Sequence, residues 1–154
     1  MKPSNHSQAN RRPSGSREEA TFLDLLRTTD MLSRGLNHIL KAEDLSATQY
    51  NVLRILRGAP EGLPCGEIAN RMITRDPDVT RLLDRLEKRD LISRSREIKD
   101  RRTVMARITP AGLKLLARLD RPVHDGHRKQ LGHLGPRQLK TLTGLLQVAR
   151  SHIA

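Results

Sequence analysis

Tryptophan is absent from this sequence, and phenylalanine and tyrosine occur once each, at Phe22 and Tyr50. Proteins that bind single-stranded nucleic acid commonly stack bases on aromatic platforms, and this chain has almost none to offer. Cysteine also occurs once, at Cys65, which excludes an intramolecular disulfide and makes a cytoplasmic location the default expectation. No apolar run approaches the length of a membrane span, and the N-terminal segment lacks the apolar core of a secretory signal. Also missing are a Ser/His/Asp grouping, a glycine-rich phosphate loop and a spaced carboxylate pair. Neither an enzyme nor a cofactor is expected.

Positive charge, by contrast, is abundant. The 154 residues carry a formal net charge of +12 and a sequence pI of about 11.1, which favours an anionic partner such as nucleic acid. Lys2, Arg11, Arg12 and Arg17 bring +4 to the first 17 residues with no acid, leaving +8 for the remainder. The segment MKPSNHSQANRRPSGSR is polar and rich in Ser, Pro and Asn. Residues 1–18 are therefore expected to form a disordered basic arm.

Helical periodicity starts at about residue 19 and runs to 42. Phe22, Leu25, Leu32, Leu36 and Ile39 fall on one stripe close to the repeat of helix–helix seams. Ser46 then offers an N-cap to a second helix carrying Tyr50, Val52, Leu53, Ile55 and Leu56, closed by Gly58 and Pro60. Ile68, Ala69 and Met72 mark a short third helix. Asp76-Pro77 is expected to open a fourth, with Asp76 as N-cap and Pro77 in the first helical position. Val79, Leu82, Leu83 and Leu86 give that helix an apolar face, opposite Arg81, Asp84 and Lys88 with Thr80 and Arg85 flanking. It should end near Asp90, a residue type tolerant of the left-handed cap conformation.

Residues 91–96 and 103–108 are β-compatible, the second run alternating Val104, Ala106 and Ile108 with Thr103, Met105 and Arg107. Between them lies Lys99-Asp100-Arg101-Arg102, a charged hairpin tip. Thr109-Pro110 starts a fifth helix carrying Leu113, Leu116, Leu119 and Val123, which Pro122 should kink or interrupt. A last helix follows Gly135-Pro136, with Leu139, Leu142, Leu146, Ala149 and Ile153 on one stripe. The fold class expected is mainly α with a small β-hairpin (α+β). A short helix, a turn, a longer helix with a polar outer face and a basic hairpin are the parts of a winged helix-turn-helix.

Duplex DNA suits this order of elements, because the major groove admits one α-helix whose exposed side chains meet base edges and phosphates. Arg81 and Arg85 can each form bidentate pairs with guanine or phosphate, and Thr80 can reach a base or a thymine methyl. Pro77, Asp78 and Val79, at the helix start, are expected to present backbone donors to a phosphate, and Asp84 lies on the same outer face. Residues 71–107 hold twelve Lys and Arg against seven Asp and Glu, an excess of five. A solvated face, with Asp84 and Glu87 pairing Arg81 and Arg85, is the competing expectation for that helix.

The segments LSATQYNVLRIL, EIANRM, DVTRLLDRLEKRDLISR and DRRTVMARITPAGLKLL, in this order and spacing, resemble the MarR family of bacterial transcriptional regulators. The likeness covers about residues 45–117. It implies a homodimer in which N- and C-terminal helices interlock, carrying two winged lobes onto a pseudo-palindromic operator, and most often a repressor released by a small-molecule ligand. On this pattern residues 19–42 and 111–154 are dimerisation helices around a DNA-binding lobe at 45–110. Phe22, Leu25, Leu32, Leu36, Leu142, Leu146 and Ile153 would form the seam. The family pattern further implies that Asp100 orients Arg102 into the minor groove while Lys99 and Arg101 meet phosphates. The chain departs from the family at Asp90, where glycine is usual. A cytoplasmic, nucleoid-associated location follows from such a role.

Four alternatives stay open at this level. A charge-only architectural DNA-binding protein would share the basic surface, and an interaction module could use the apolar stripes. Cys65, ahead of the third helix, could be a redox-sensitive thiol, although oxidant-sensing members of the family carry theirs near the N-terminal helix. His124 and His127, with Asp125 and His133 near them, could in principle ligate a metal, but without Cys partners surface histidines are the simpler account and no metal is expected.

Overall fold

Helix α1 (Arg17–Leu40) opens the described chain, and a single 3-10 turn at Lys41–Glu43 leads into α2 (Ala47–Arg57). The computed structural model describes residues 15–97 and 102–153. A two-residue strand β1 (Leu63–Pro64), α3 (Cys65–Arg71), α4 (Val79–Lys88), β2 (Ile92–Arg96) and β3 (Val104–Ile108) follow. Two more helices end the chain, α5 (Pro110–Leu131) and, after a 3-10 turn, α6 (Gly135–Ile153). The chain divides into two compact units, the first reaching Ser33 and the second starting at Arg34. In the first, Arg17 and Glu18 are already helical, with the Ser16 hydroxyl accepting from the Glu19 amide at 3.1 Å. The basic arm therefore stops short of residue 18; residues 1–14 lie outside the described part.

The second unit is built around one apolar core. Val52, Leu53 and Leu56 of α2, Ile68 of α3 and Leu82, Leu83 and Leu86 of α4 meet Ile92 and Ala106 of the sheet and Leu115, Leu116 and Leu119 of α5. Each fully buried Leu or Ile contributes roughly 1.5–3 kcal/mol, so this face of each element, rather than helix propensity, fixes where the elements lie. On α5 the core takes Leu115 in place of the expected Leu113, which is exposed. Local chemistry sets the ends of the elements. Ser46 and Gln49 form a reciprocal capping box, the Ser46 hydroxyl accepting from the Gln49 amide at 3.1 Å and the Gln49 side chain accepting from the Ser46 amide at 3.0 Å.

Helix α4 starts two residues later than the Asp-Pro signal implies. The Asp76 carboxylate accepts from the Asp78 amide at 2.9 Å, closing a local turn, and Asp78 then caps the helix by accepting from the Arg81 amide at 2.9 Å. The Asp76 carboxylate is thereby used in the turn, and Asp78 supplies the cap. At the far end Asp90 adopts the left-handed conformation expected of it, with φ 56°. Thr109 ties this corner to α5: its hydroxyl donates to the Asp90 carbonyl at 2.6 Å and accepts from the Gly112 amide at 3.0 Å. Gly112 has no alternative here, because a Cβ would lie 2.3 Å from the Leu91 carbonyl oxygen.

The three strands form one antiparallel sheet in the order β1-β3-β2, with Leu63 opposite Ala106 and Arg94 opposite Ala106 on the other side. Strand β1 carries no periodicity of its own and is held by pairing with β3. Gly62 precedes it at φ 87°, and a Cβ there would sit 2.8 Å from the Ala106 carbonyl oxygen. Ala106 is buried and Ile108 half-buried, but Val104, on the same face, is exposed toward the hairpin tip. Pro122 neither breaks nor splits α5, which runs unbroken through it. Proline removes one intrahelical hydrogen bond, and the buried Leu119 and Val123 on either side anchor both halves to the same core.

Candidate nucleic-acid interface

The outer face of α4 exposes Thr80, Arg81 and Arg85, while Asp84 is half-buried. The competing expectation for this helix was that its own acids neutralise its arginines. The acids are instead committed elsewhere. Arg94, the central residue of β2, sends its Nη2 to Asp84 Oδ1 at 2.5 Å and to Glu87 Oε2 at 2.7 Å, and its Nε to Glu87 Oε2 at 3.0 Å. The Arg94 amide also donates to Glu87 Oε1 at 3.0 Å. Hydrogen bonding to Arg94 holds the Glu87 carboxyl below the usual carboxylate range, against the opposing effect of desolvation.

Arg85 makes no ion pair among the described residues. Arg81 has only a 3.5 Å approach to Asp78, with both side chains mostly exposed, a pair of little energetic worth. Both guanidinium groups can thus be offered to an anion at small cost. The backbone donors expected at the helix start are fewer than the sequence implied. Pro77 has no N–H, and the Asp78 amide is taken by Asp76, leaving Val79 of the three. Pro77 and Asp78 are exposed in the turn before α4.

Sequence periodicity missed one wall of this site. A shallow depression of about 310 Å³ joins Ser46 and Thr48 of the α2 start to Asp76, Asp78, Arg81 and Arg85. The Ser46 cap was legible, but its place beside α4 depends on the packing of α2 against α4. Asn51 is a second omission: its side-chain oxygen accepts from the Ile73 amide at 2.9 Å and pins the turn between α3 and α4. Beyond β2, the Glu97 amide donates to the Thr103 carbonyl at 3.1 Å, extending the hairpin past the paired strands. Arg102 is exposed just before β3. Lys99, Asp100 and Arg101 lie outside the described residues.

The other candidates separate clearly. Cys65 is the first residue of α3, half-buried and packed against the core. His124 and His127 are exposed on α5, with His124 Nδ1 3.4 Å from Asp125; among the described residues no three His, Cys, Asp or Glu gather as a metal site would require. Of the expected seam residues, Leu36 packs against the lobe's own core and Leu32 and Leu146 are half-buried. Phe22, Leu25, Leu142 and Ile153 are exposed, Ile153 to 83%. Among the described residues no helix is long and apolar enough to cross a membrane.

A helix-turn-helix whose second helix exposes Arg81, only loosely paired with Asp78, and Arg85, beside a three-stranded sheet that ends in a basic hairpin, defines a winged-helix DNA-binding protein. Residues 45–104 match the MarR family model. A MarR transcription factor from Planctomyces limnophilus is 41% identical, with 89% of this chain and 99% of that one aligned at a TM-score of 0.67. A mutant MarR from E. coli complexed with operator DNA is 25% identical over 86% of this chain and 95% of that one, at a TM-score of 0.77. The homoprotocatechuate degradative operon repressor of Escherichia coli is 25% identical over 129 residues, 84% of this chain and 86% of the relative. The chain belongs to the MarR family, whose members are DNA-binding transcription regulators and not enzymes.

Proposed function

We propose that this protein is a homodimeric, sequence-specific repressor that binds a pseudo-palindromic duplex operator and is released by a small-molecule ligand. The single observation that carries the DNA-reading part is the commitment of Asp84 and Glu87 to Arg94, which leaves Arg81 and Arg85 available on the outer face of α4. In the major groove these two arginines read guanine or clamp phosphate, and Thr80 lies beside them. Val79, Pro77 and Asp78 border the phosphate at the helix start. Arg102 enters the adjacent minor groove, where negative potential over A·T-rich sequence favours arginine. Asp100 orients it, and Lys99 and Arg101 meet the flanking phosphates.

The dimer is supported by apolar side chains that the single chain leaves exposed. Leu142, Leu145, Val148 and Ile153 on α6, and Phe22, Leu23, Leu25 and Leu26 on α1, are all solvent-facing. Large apolar patches on soluble chains mark association surfaces, and two-fold symmetry matches a palindrome. Residues 19–42 and 111–154 accordingly serve dimerisation, 45–110 bind DNA, and the basic residues ahead of α1 add phosphate affinity. A repressor role accords with the E. coli homoprotocatechuate relative. A ligand that releases the operator must bind one state of the dimer more tightly than the other. The protein then works in the cytoplasm, at the nucleoid.

Selection of duplexes from a random library by the full chain tests the proposal. A regulator enriches a two-fold symmetric sequence and binds it about 10³-fold or more tightly than random duplex. A charge-only architectural protein enriches nothing and shows a ratio near one.

A further inference from the structure

Strand β2 lies at the edge of the sheet, so the backbone groups on its outer side have no strand to pair with. Edge strands are usually left to water or blunted by charge. Here one of them is capped by the recognition helix. A single carboxylate, Glu87, accepts the Arg94 amide through Oε1 and the Arg94 guanidinium through Oε2. Asp84, one turn earlier on α4, accepts from the same Nη2 that Glu87 Oε2 engages. The planar fork of arginine, engaged on two sides and at its own backbone, fixes a direction as well as a distance. The Arg94 side chain is only 24% exposed, so the network is partly withdrawn from solvent.

We infer that Arg94 is a positioning residue which sets the angle of the wing against the recognition helix, and that Asp84 and Glu87 serve DNA binding as its anchors rather than as contacts. The inference rests on the DNA-reading role proposed above and goes further, because it assigns a favourable role in binding an anion to two carboxylates. Their charge alone acts against DNA. Their geometry favours it, by keeping Arg81 and Arg85 unneutralised and by holding the hairpin so that Arg102 and the α4 face engage neighbouring grooves together.

Charge and geometry predict opposite signs, which makes the test sharp. The full chain is first used to enrich a duplex from a random library; affinities of variants are then measured on that duplex and on random duplex of equal length. The isosteric double variant D84N/E87Q removes two negative charges. If it acts through charge, it tightens binding to both duplexes. If the clamp positions the wing, it weakens binding to the selected duplex about tenfold, while binding to random duplex holds or tightens. R94M should weaken the selected duplex by a similar factor, and R94K, a point charge without the fork, should recover part of the loss. Hydroxyl-radical protection by the wing at the operator flanks should fade in D84N/E87Q and R94M, with guanine N7 protection under α4 retained. Circular dichroism checks folding, and if R94M fails to fold, the isosteric pair decides alone. Equal changes on both duplexes, following the sign of the charge removed, overturn the inference while leaving the regulator role standing. Enrichment of no duplex overturns both.

Discussion

Helices α4 and α6 are both amphipathic, yet they stand in opposite states. The ten residues of α4 bury Val79, Leu82, Leu83 and Leu86, whereas the nineteen residues of α6 bury none fully. The polar side of α4 is also organised, its acids tied to Arg94 and its N-cap satisfied. On α6 an apolar groove lined by Leu134, Leu142 and Leu145 lies open. The apolar face of α4 is thus spent within one chain, and that of α6 is available to a second. On the proposed reading, one helix is fixed so that its outer face reads DNA, and the other offers its apolar face for assembly.

The most drastic way to break this contrast is to hollow the α4 core. Leu86→Ala, at a fully buried position, is expected to cost about 2–5 kcal/mol, seen as a fall in urea midpoint for the whole lobe. Leu145→Ala should leave the stability of dilute protein within about 0.5 kcal/mol, as exposed substitutions do. Charging the α6 face with Leu142→Asp and Leu145→Asp should instead abolish association. Sedimentation would then return the 17.4 kDa chain, and operator binding would lose its two-fold cooperativity. Wild-type protein that sediments only as monomer at micromolar concentration would remove the reason for the contrast.

Smaller effects sharpen the α4 side. Arg85→Ala is expected to cost about 1–3 kcal/mol on the selected duplex, by the scale of a bidentate base contact, with a weaker effect on random DNA. Arg102→Ala should lose affinity selectively on A·T-rich flanks; an equal loss on every sequence would make it a phosphate contact. The smallest effect is on pH. Hydrogen bonds from Arg94 and Arg118 hold the Glu87 and Glu43 carboxyls below the usual carboxylate range. Their stabilisation is complete above the unfolded-state value of roughly 4.3 and is lost as pH falls through the lowered folded values. Urea midpoints should therefore be flat near neutrality and fall in acid, and Glu87→Gln should make that fall shallower.

Much of this was legible because it is local. The Ser46 N-cap, the Thr109-Pro110 start of α5, the left-handed turn at Asp90 and the apolar face of α4 each depend on residues within one or two turns. Their signals survive without tertiary context. The start of α4 was misplaced because Asp76 and Asp78 both have capping chemistry, and only the turn closed by Asp76 decides between them. Strand β1 was missed because two residues carry no period, and its pairing partner lies some forty positions on. Helix α5 continues through Pro122 because the core on both sides outweighs one lost hydrogen bond.

The sequence by itself determined the order of every element but β1, the basic balance and, through its motifs, the family likeness, since each is written along the chain within a few turns. Tertiary structure alone decided where the charges are spent. Asp84 and Glu87 were offered as partners for Arg81 and Arg85, and Asp84 also as a DNA-facing residue; both are engaged by Arg94 once the hairpin folds back beside α4. An ion pair depends on distances in space, and those were fixed by the burial of Leu86, Ile92 and Ala106 beneath it.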